Sequence, residues 1–206
     1  MFKQTVQTLL AGNIICQTAF ADEHEYLQAS ANFDRVNEYL QPLDRKLTEL
    51  ESASAYYCTF TKIDQSNQKQ IFDLFSMVRR DFRPLVEWLD ILLIATGLDS
   101  PLRAKDCIKF SALLNSFEND QTLAERLRLI SQMPPFKTNK IEPREQLATV
   151  FSKLEDIGYL KRHSQGSNSY FATAKFELIY LLIEFINDNE KLDLPELQST
   201  QTEFLL

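Results

Sequence analysis

The chain has 206 residues, which is enough for one or two domains with a buried core. Its four glycines and seven prolines argue against long disordered linkers and against an all-β fold, so we expect a mainly α protein (α+β). A formal net charge of −7 excludes a surface that is basic throughout, so any contact with nucleic acid must come from a local patch.

The cysteines and the N-terminus bear on the compartment. Cys16, Cys58 and Cys107 are odd in number, widely spaced and lack a CxxC pattern, which predicts buried thiols in a reducing cytosol. The first 22 residues imitate a signal peptide, but Gln7, Asn13 and Gln17 interrupt the apolar stretch. No apolar run approaches the length of a membrane span. We therefore expect a cytoplasmic protein without membrane contact.

The first 61 residues predict three helices followed by two strands. A helix is expected over 4–20, a second short one begins at a capping box of Asp22 and Glu25, and a third covers 32–41. The segments "RKLTELE" and "AYYCTFT" then alternate as half-buried strands do.

The middle of the chain is more apolar. After the polar stretch 62–70, two helices are predicted near 67–80 and 84–96, with Pro84 in the first turn of the second. Trp88 lies in a run that is apolar nearly all round, which indicates burial between domains or in a subunit contact.

The last third repeats the order of the first. Helices are predicted over 104–117, 122–131 and 143–157, and Gly158 is placed to end the third. The segments "YLKRH" and "SYFAT" predict a β-hairpin around "SQGSN", and Thr173 can cap a final helix over 174–187. An acidic tail follows.

The two halves can be laid over one another, which predicts tandem winged-helix domains joined by a helical segment. Apolar positions correspond in pairs, as do the aromatic residues of the hairpins: Val36 with Val150, Leu40 with Leu154, Leu47 with Leu160, and Tyr56-Tyr57 with Tyr170-Phe171. The predicted boundaries are 1–62 for the N-terminal winged helix, 63–98 for the connecting helices, 99–187 for the C-terminal winged helix and 188–206 for a flexible acidic tail.

The sequence carries no motif of enzymatic chemistry. Phosphate-binding, dinucleotide-binding and nucleophile-elbow motifs are absent, and the two histidines, His24 and His163, lie far apart. His24 stands in an acidic first turn and is expected at the surface. We predict no catalytic residue, no metal ligand and no cofactor.

Charge separates the predicted recognition helix from the predicted wing. The stretch 142–156 holds two bases and four acids, which disfavours base reading in the major groove. Between residues 157 and 176 there is no acid, and the candidate DNA-binding residues are therefore those of the wing and its base: Lys161, Arg162, Lys175, Ser164 and Asn168. Such contacts position a protein on the phosphate backbone but do not specify a sequence. A merely solvated hairpin is the alternative.

Two further sets are candidates for binding a partner. Arg79, Arg80 and Arg83 could pair with the acids of a partner or reach phosphate, and nothing in the sequence separates these alternatives. Tyr56 and Tyr57 of the first hairpin are expected to be exposed and to suit a protein better than DNA.

Three segments of the chain, in their order, resemble the MksE/MukE family of kite (tandem winged-helix) subunits of bacterial condensins. They are "LLAGNIICQTAFADEHEYLQASANFDRVNEYL", "FRPLVEWLDILLIATG" and "EQLATVFSKLEDIGYLKRHSQGSNSYFATAKFELI". The resemblance implies a non-enzymatic subunit that forms a homodimer. It also implies binding to a kleisin (MksF/MukF-like) and, through it, to an SMC-like ATPase (MksB/MukB-like). A shared, non-specific contact with nucleoid DNA, in chromosome organisation or in plasmid restriction, is implied as well. The alternative is a winged-helix transcription regulator, which would bind one DNA sequence tightly by itself.

Overall fold

The computed structural model describes residues 1–190; most of the predicted tail, 188–206, lies outside the described residues. The described part is a mixed fold, mainly helical, with two small antiparallel sheets. Its helices and strands follow in this order: α1 (Phe2–Leu10), α2 (Ala21–Gln28), α3 (Ser30–Leu40), β1 (Arg45–Leu50), β2 (Ala55–Phe60), α4 (Gln68–Thr96), β3 (Cys107–Lys109), α5 (Phe110–Asn119), α6 (Gln121–Ile130), α7 (Pro143–Asp156), β4 (Leu160–Arg162), β5 (Ser169–Ala172) and α8 (Lys175–Glu190).

The predicted helix over 4–20 is wrong in its second half. Helix α1 ends at Leu10, and Gly12 follows with a φ of 79°, a conformation that glycine adopts without strain. The chain then runs extended, and Ile15 pairs with Tyr56 of β2 through two backbone hydrogen bonds of 2.8 Å. The spacing of the apolar residues favours a continued helix, but the burial of Ile15 against the hairpin favours the extended segment more strongly.

The beginning of α2 also differs from the prediction. Phe20 occupies the N-cap position and no side chain caps the helix. Asp22 and Glu23 instead lie in the first turn, where negative charge complements the helix dipole. The next helix, α3, was predicted over 32–41 and begins two residues earlier.

The first hairpin is confirmed. Strands β1 and β2 pair antiparallel with Leu47 opposite Cys58 and Glu49 opposite Tyr56. Leu47 and Tyr56 are buried in a core that they share with Val6, Leu9, Val36 and Leu40. The hairpin therefore closes the first half of the molecule.

Helix α4 replaces the two predicted helices of the middle segment. It runs for 29 residues, about 44 Å, with Pro84 inside it. Proline lacks an N–H and so removes one hydrogen bond of the helix. Pro84 and Leu85 are nevertheless buried in the second half of the molecule, so packing holds the helix in one piece.

The second half differs from the prediction at its start. Residues 104–117 were expected to be helical, but Cys107–Lys109 form β3 and helix α5 begins at Phe110. Strand β3 pairs with β5 so that Ile108 lies opposite Tyr170, and the sheet order is β3-β5-β4. Three residues are too few for the alternation of a strand to be seen in sequence.

The rest of the second half matches the prediction closely. Helix α6 is capped by Asp120, whose carboxylate accepts hydrogen bonds from the backbone of Thr122 and Leu123. Helix α7 has Pro143 in its first turn, and Gly158 follows it with a φ of 80°, as a helix stop requires. Strands β4 and β5 form the predicted hairpin.

The second half has the larger core. Trp88 of α4 packs edge-on against Phe151 of α7, with 5.9 Å between the ring centroids, and Phe151 packs in turn against Tyr170. Trp88 is therefore buried within the second half. A smaller cluster joins the halves, in which Ile14, Cys16 and Leu50 meet Ala174 at the start of α8.

The two halves of the molecule also resemble each other in their backbone pairing. In the first half Ile15 bridges to Tyr56 of the last hairpin strand, and in the second half Ile108 pairs with Tyr170 of the last hairpin strand. Both tyrosines are 5% exposed. Each half thus combines helices, a hairpin and a short third segment on the same edge of that hairpin.

Candidate partner and nucleic-acid surfaces

The second hairpin, residues 160–172, carries four of the five predicted DNA-binding residues. Lys161, Ser164 and Asn168 are exposed. The guanidinium of Arg162 lies 3.3 Å from Glu155 of α7 and packs over the Tyr170 ring at 4.9 Å. The backbone N–H of Arg162 also donates to Glu155. The charge of Arg162 is thus partly neutralised by Glu155, which precedes the acid-free stretch in sequence. Lys161 is exposed and forms no ion pair within residues 1–190.

Lys175, the fifth predicted residue, lies outside the second hairpin, at the first residue of α8. Its ammonium donates to the carbonyl of Ile157 at 2.6 Å, at the C-terminal end of α7, and lies 5.1 Å from the centre of the Tyr159 ring. Burial lowers the pKa of this lysine, and the nearby Asp81 carboxylate raises it in part. Lys175 therefore stabilises a helix end, and it also lines the same cleft as Lys161. Its contact with DNA stays a prediction.

Helix α7 presents mixed charge on its exposed face. Lys153 lies 3.6 Å from Asp156, and Glu145 accepts from Lys140 at 3.0 Å. Gln146 of α7 is buried, and its amide donates to the carbonyl of Lys140, which fixes the turn before the helix. The paired charges leave little net attraction for phosphates.

The aromatic residues of the first hairpin are not free at the surface. Tyr56 is buried between Phe33 and His24, with ring centroids 6.0 Å and 5.7 Å away. Tyr57 is partly buried and packs against the cluster that joins the two halves. The expected exposure of Tyr56 is therefore wrong. The extended segment around Ile15 pairs with Tyr56 and covers the edge of β2.

His24 was expected at the surface and is buried as well. Its Nε2 donates to the carbonyl of Ser54 at 2.6 Å, across the tip of the first hairpin. Ser54 has a left-handed φ of 46°, so this bond holds a strained turn in place. The other histidine, His163, lies on the second hairpin beside Phe171.

The three predicted partner-binding arginines lie on the exposed part of α4. Arg79 and Arg83 are exposed, and within residues 1–190 neither has an ion-pair partner. Arg80 forms a bidentate pair with Asp81 at 2.6 Å and 2.9 Å. Only the first two thus present free guanidinium groups.

The same side of α4 exposes two phenylalanines that the sequence reasoning missed. Phe72 is 69% exposed and Phe75 is 62% exposed. By the 3.6-residue period they share one face with Arg79 and Arg83, opposite the buried Leu85 and Trp88. We call these four residues, Phe72, Phe75, Arg79 and Arg83, the α4 stripe. Extending the helical wheel of Trp88 back along one continuous helix would have revealed it.

A cleft of about 250 Å³ lies where the two halves meet. It is bordered by Ile14 and Phe20 of the first half and by Asp156, Lys161 and Thr173 of the second. The backbone N–H of Ala174 donates to the Cys16 sulfur at 3.5 Å nearby. Acids and bases both line this cleft.

Residues 1–190 contain neither a cluster of potential metal ligands nor a membrane-spanning helix. Among residues 1–190 no three His, Cys, Asp or Glu side chains meet as metal ligands would. None of the helices in that range is long and apolar enough to cross a bilayer.

A search of the curated proteins finds no match. The model of the family described as condensin complex protein MksE matches residues 1–183.

Proposed function

Since the chain belongs to the MksE family of condensin complex proteins, we propose that it is the non-enzymatic accessory (kite) subunit of an SMC-like bacterial condensin. In this role it binds an MksF/MukF-like kleisin, associates through it with an MksB/MukB-like ATPase, and forms a homodimer. It acts at the nucleoid in the cytoplasm, in chromosome organisation or plasmid restriction.

The tandem winged-helix arrangement is part of this proposal. It is supported by the parallel between the halves, in which a helical bundle precedes a hairpin whose last strand takes a short third segment. The corresponding residues Val36 and Val150 are both fully buried, as are Leu40 and Leu154. The repeat therefore extends from apolar spacing to burial and pairing.

The α4 stripe carries the proposal that this subunit binds a protein. Two phenylalanines more than 60% exposed on one helix face are unfavourable in water, and such patches mark interaction sites. Arg79 and Arg83 continue the same face and favour a partner segment with carboxylates next to apolar residues. A kleisin segment of that character is the proposed occupant in the complex.

Contact with DNA is proposed as a weak, shared property of the complex. Lys161 and the polar tip residues Ser164 and Asn168 are exposed on the second hairpin and can contact phosphate oxygens. The paired charges of α7 disfavour base reading, which is the feature that a transcription regulator would need.

A binding measurement with an MksF-like kleisin tests the proposal. Phe72→Ser with Phe75→Ser should weaken kleisin binding at least tenfold, whereas Ile94→Ser with Leu98→Ser should not. Ile94 and Leu98 are a matched control because they are exposed apolar residues, Ile94 in the last turn of α4 and Leu98 just after the helix. Equal affinities for the two double variants would remove the α4 stripe from the interface.

A second measurement separates the alternative function. The isolated chain should shift random and genomic DNA fragments equally and weakly. Sequence-selective binding in the range of about 10⁻⁸ M or tighter would favour a transcription regulator over the condensin subunit.

A further inference from the structure

The second sheet has one buried face and one open face. Ile108, Leu160 and Tyr170 are buried in the larger core. Successive side chains of a strand point to opposite faces, so their neighbours in β3, β4 and β5, and the residue just after β4, lie on the other side of the sheet. We call that side the outer face, and it consists of six residues: Cys107, Lys109, Lys161, His163, Ser169 and Phe171.

Phe171 of β5 lies at the centre of the outer face. In the register of the sheet it stands between Lys161 of β4 and Cys107 of β3, two strands that are about 10 Å apart. The ring of His163 lies beside it, with 5.5 Å between the two ring centroids. Phe171 is partly buried, and His163 is exposed. A ligand on this face therefore meets two rings at once.

The outer face is cationic although the chain as a whole is acidic. Lys109 and Lys161 are exposed and stand at diagonally opposite corners, on the two edge strands of the sheet. No acid belongs to the outer face, and the acids next to the strands have partners of their own. Asp106 accepts from the backbone N–H of Arg103 at 2.7 Å, and Asp156 pairs with a lysine of α7. The outer face therefore attracts anions within a chain whose net charge is −7.

The corresponding face of the first hairpin is covered. Leu50 and Tyr57 lie on that face and belong to the cluster that joins the two halves. Within residues 1–190 the outer face of the second sheet has no such cover, and four of its six residues are exposed. Its openness and its charge together favour an anionic partner with flat apolar groups.

We infer that the outer face binds single-stranded DNA, with an unpaired base stacked on Phe171 and His163 and the flanking phosphates held by Lys109 and Lys161. Bases stack on aromatic side chains with little regard to sequence, while cations follow the backbone. In a duplex each base face is covered by the next base pair, so the two rings would meet only sugar and phosphate. The inference rests on the proposed contact of the complex with DNA, and it specifies an open strand as the form that is bound.

Three oligonucleotides of equal length separate base stacking from charge. We expect the isolated full-length chain to bind a thymidine strand at least tenfold more tightly than an abasic strand, which carries the same phosphates but no bases. A duplex should also bind less tightly than the thymidine strand. The anisotropy of a dye on each oligonucleotide measures the affinity. Equal affinity for the thymidine and abasic strands, or tighter binding of the duplex, would overturn the inference.

Photo-cross-linking locates the base. A strand with iodouracil is irradiated in complex with the chain, which is then digested with trypsin. We expect the cross-link in the tryptic peptide 163–175, which contains both rings of the outer face. Cross-links only in other peptides, or none, would contradict stacking on this face.

Removing the central ring tests its contribution. Phe171→Val keeps a residue that favours strands, and it should weaken binding of the thymidine strand at least fivefold because no ring remains at the centre of the face. Phe60→Val is the matched control, since Phe60 is a partly buried aromatic residue of the last strand of the first hairpin. Circular dichroism verifies that both variants are folded. An equal loss in the two variants would contradict the role of Phe171.

The cations are tested by salt dependence. Lys109→Gln should reduce the slope of log affinity against log salt by about 0.7, as the loss of one phosphate contact on a single strand does. Lys137→Gln is the control, because Lys137 is exposed and lies outside the sheet. Equal slopes for the two variants would remove Lys109 from the site.

A competition experiment distinguishes DNA from an acidic protein segment. Polyglutamate of equal charge should displace the thymidine strand poorly, because it offers no base to the rings. Equally good displacement would overturn the inference in favour of an acidic partner. Since no kleisin is present in these measurements, their failure leaves the proposed function to its own binding measurement.

Discussion

The ammonium group of Lys175 donates a hydrogen bond to the backbone carbonyl of Ile157, at the C-terminal end of α7, across 2.6 Å. Burial is the main influence on this lysine and lowers its pKa, so the charged form is less favourable in the folded chain than in the unfolded chain. The unfolded state therefore binds more protons over the pH range between the lowered pKa and about 10.4.

We predict that Lys175 makes stability rise with pH in that window. The free energy of unfolding of the native chain minus that of Lys175→Met should increase as pH rises toward about 10.4, because the methionine has no proton to release. Urea denaturation of both proteins at matched pH values gives this difference. A difference that stays constant with pH would show that the lysine is as well solvated in the folded state as in the unfolded state.

Tyr159 should act in the opposite direction at higher pH. Burial, and secondly the Asp81 carboxylate, raise the pKa of this phenol well above its ordinary value of 10. Above about pH 10 the unfolded chain loses the proton and the folded chain keeps it, so stability falls by about 1.4 kcal/mol per pH unit for this one group. Tyr159→Phe should remove that part of the decline. The exposed Tyr39→Phe is the control, and an equal effect of the two substitutions would contradict the prediction.

Removing Arg103 and removing Glu177 from their ion pair should lower the stability of the fold by different amounts. Arg103 Nη1 donates to Glu177 at 2.7 Å; the arginine side chain is half exposed, whereas the glutamate is buried and also accepts from the backbone of Ala104. Arg103→Ala leaves a buried carboxylate without its cation and should destabilise by about 2 kcal/mol. Glu177→Gln leaves an arginine that can turn to solvent, and should destabilise by about half as much. Denaturation of the two variants at pH 7 measures the order, and the reverse order would contradict this reading of the pair.

Lys161 and Arg162 should contribute unequally to DNA binding by the assembled complex. Lys161→Gln should reduce the slope of log affinity against log salt by about 0.9, as the loss of one phosphate contact does. Arg162→Gln should have a smaller effect, because Glu155 already pairs with its guanidinium. Lys46, the exposed base of the first hairpin, provides the control substitution. Equal slopes for Lys161→Gln and Lys46→Gln would remove the second hairpin from the DNA surface.

Helices and strands were predicted correctly from the sequence where nearby residues determine the backbone conformation. Gly158 ends α7 because it adopts a left-handed φ, and the alternating segments around Ser52 to Ser54 form the first hairpin. Prediction was wrong where a distant contact outweighs a local preference. Pro84 does not divide α4 because the buried face around it packs on the second core, and Ile15 leaves a helical pattern to pair with Tyr56.

In the candidate site, too, features set by nearby residues were predicted and features set by distant contacts were not. The exposure of Lys161 follows from its place on a hairpin, but the placement of Lys175 depends on the end of another helix. The pairing of Arg162 with Glu155 joins elements that the sequence treats separately. Phe72 and Phe75 escaped notice because an apolar residue in a helix is expected to be buried, and only the direction of the buried face shows that these two are not.

The single tryptophan allows the fluorescence of one half of the molecule to be followed separately. Trp88 is fully buried in the second core, while the first core contains tyrosine and phenylalanine but no tryptophan. Intrinsic tryptophan fluorescence will therefore follow the melting of the second half alone, whereas far-ultraviolet ellipticity follows both. If the small cluster around Cys16 and Ala174 couples the halves strongly, the two signals will change together; if it does not, they will separate without any added label.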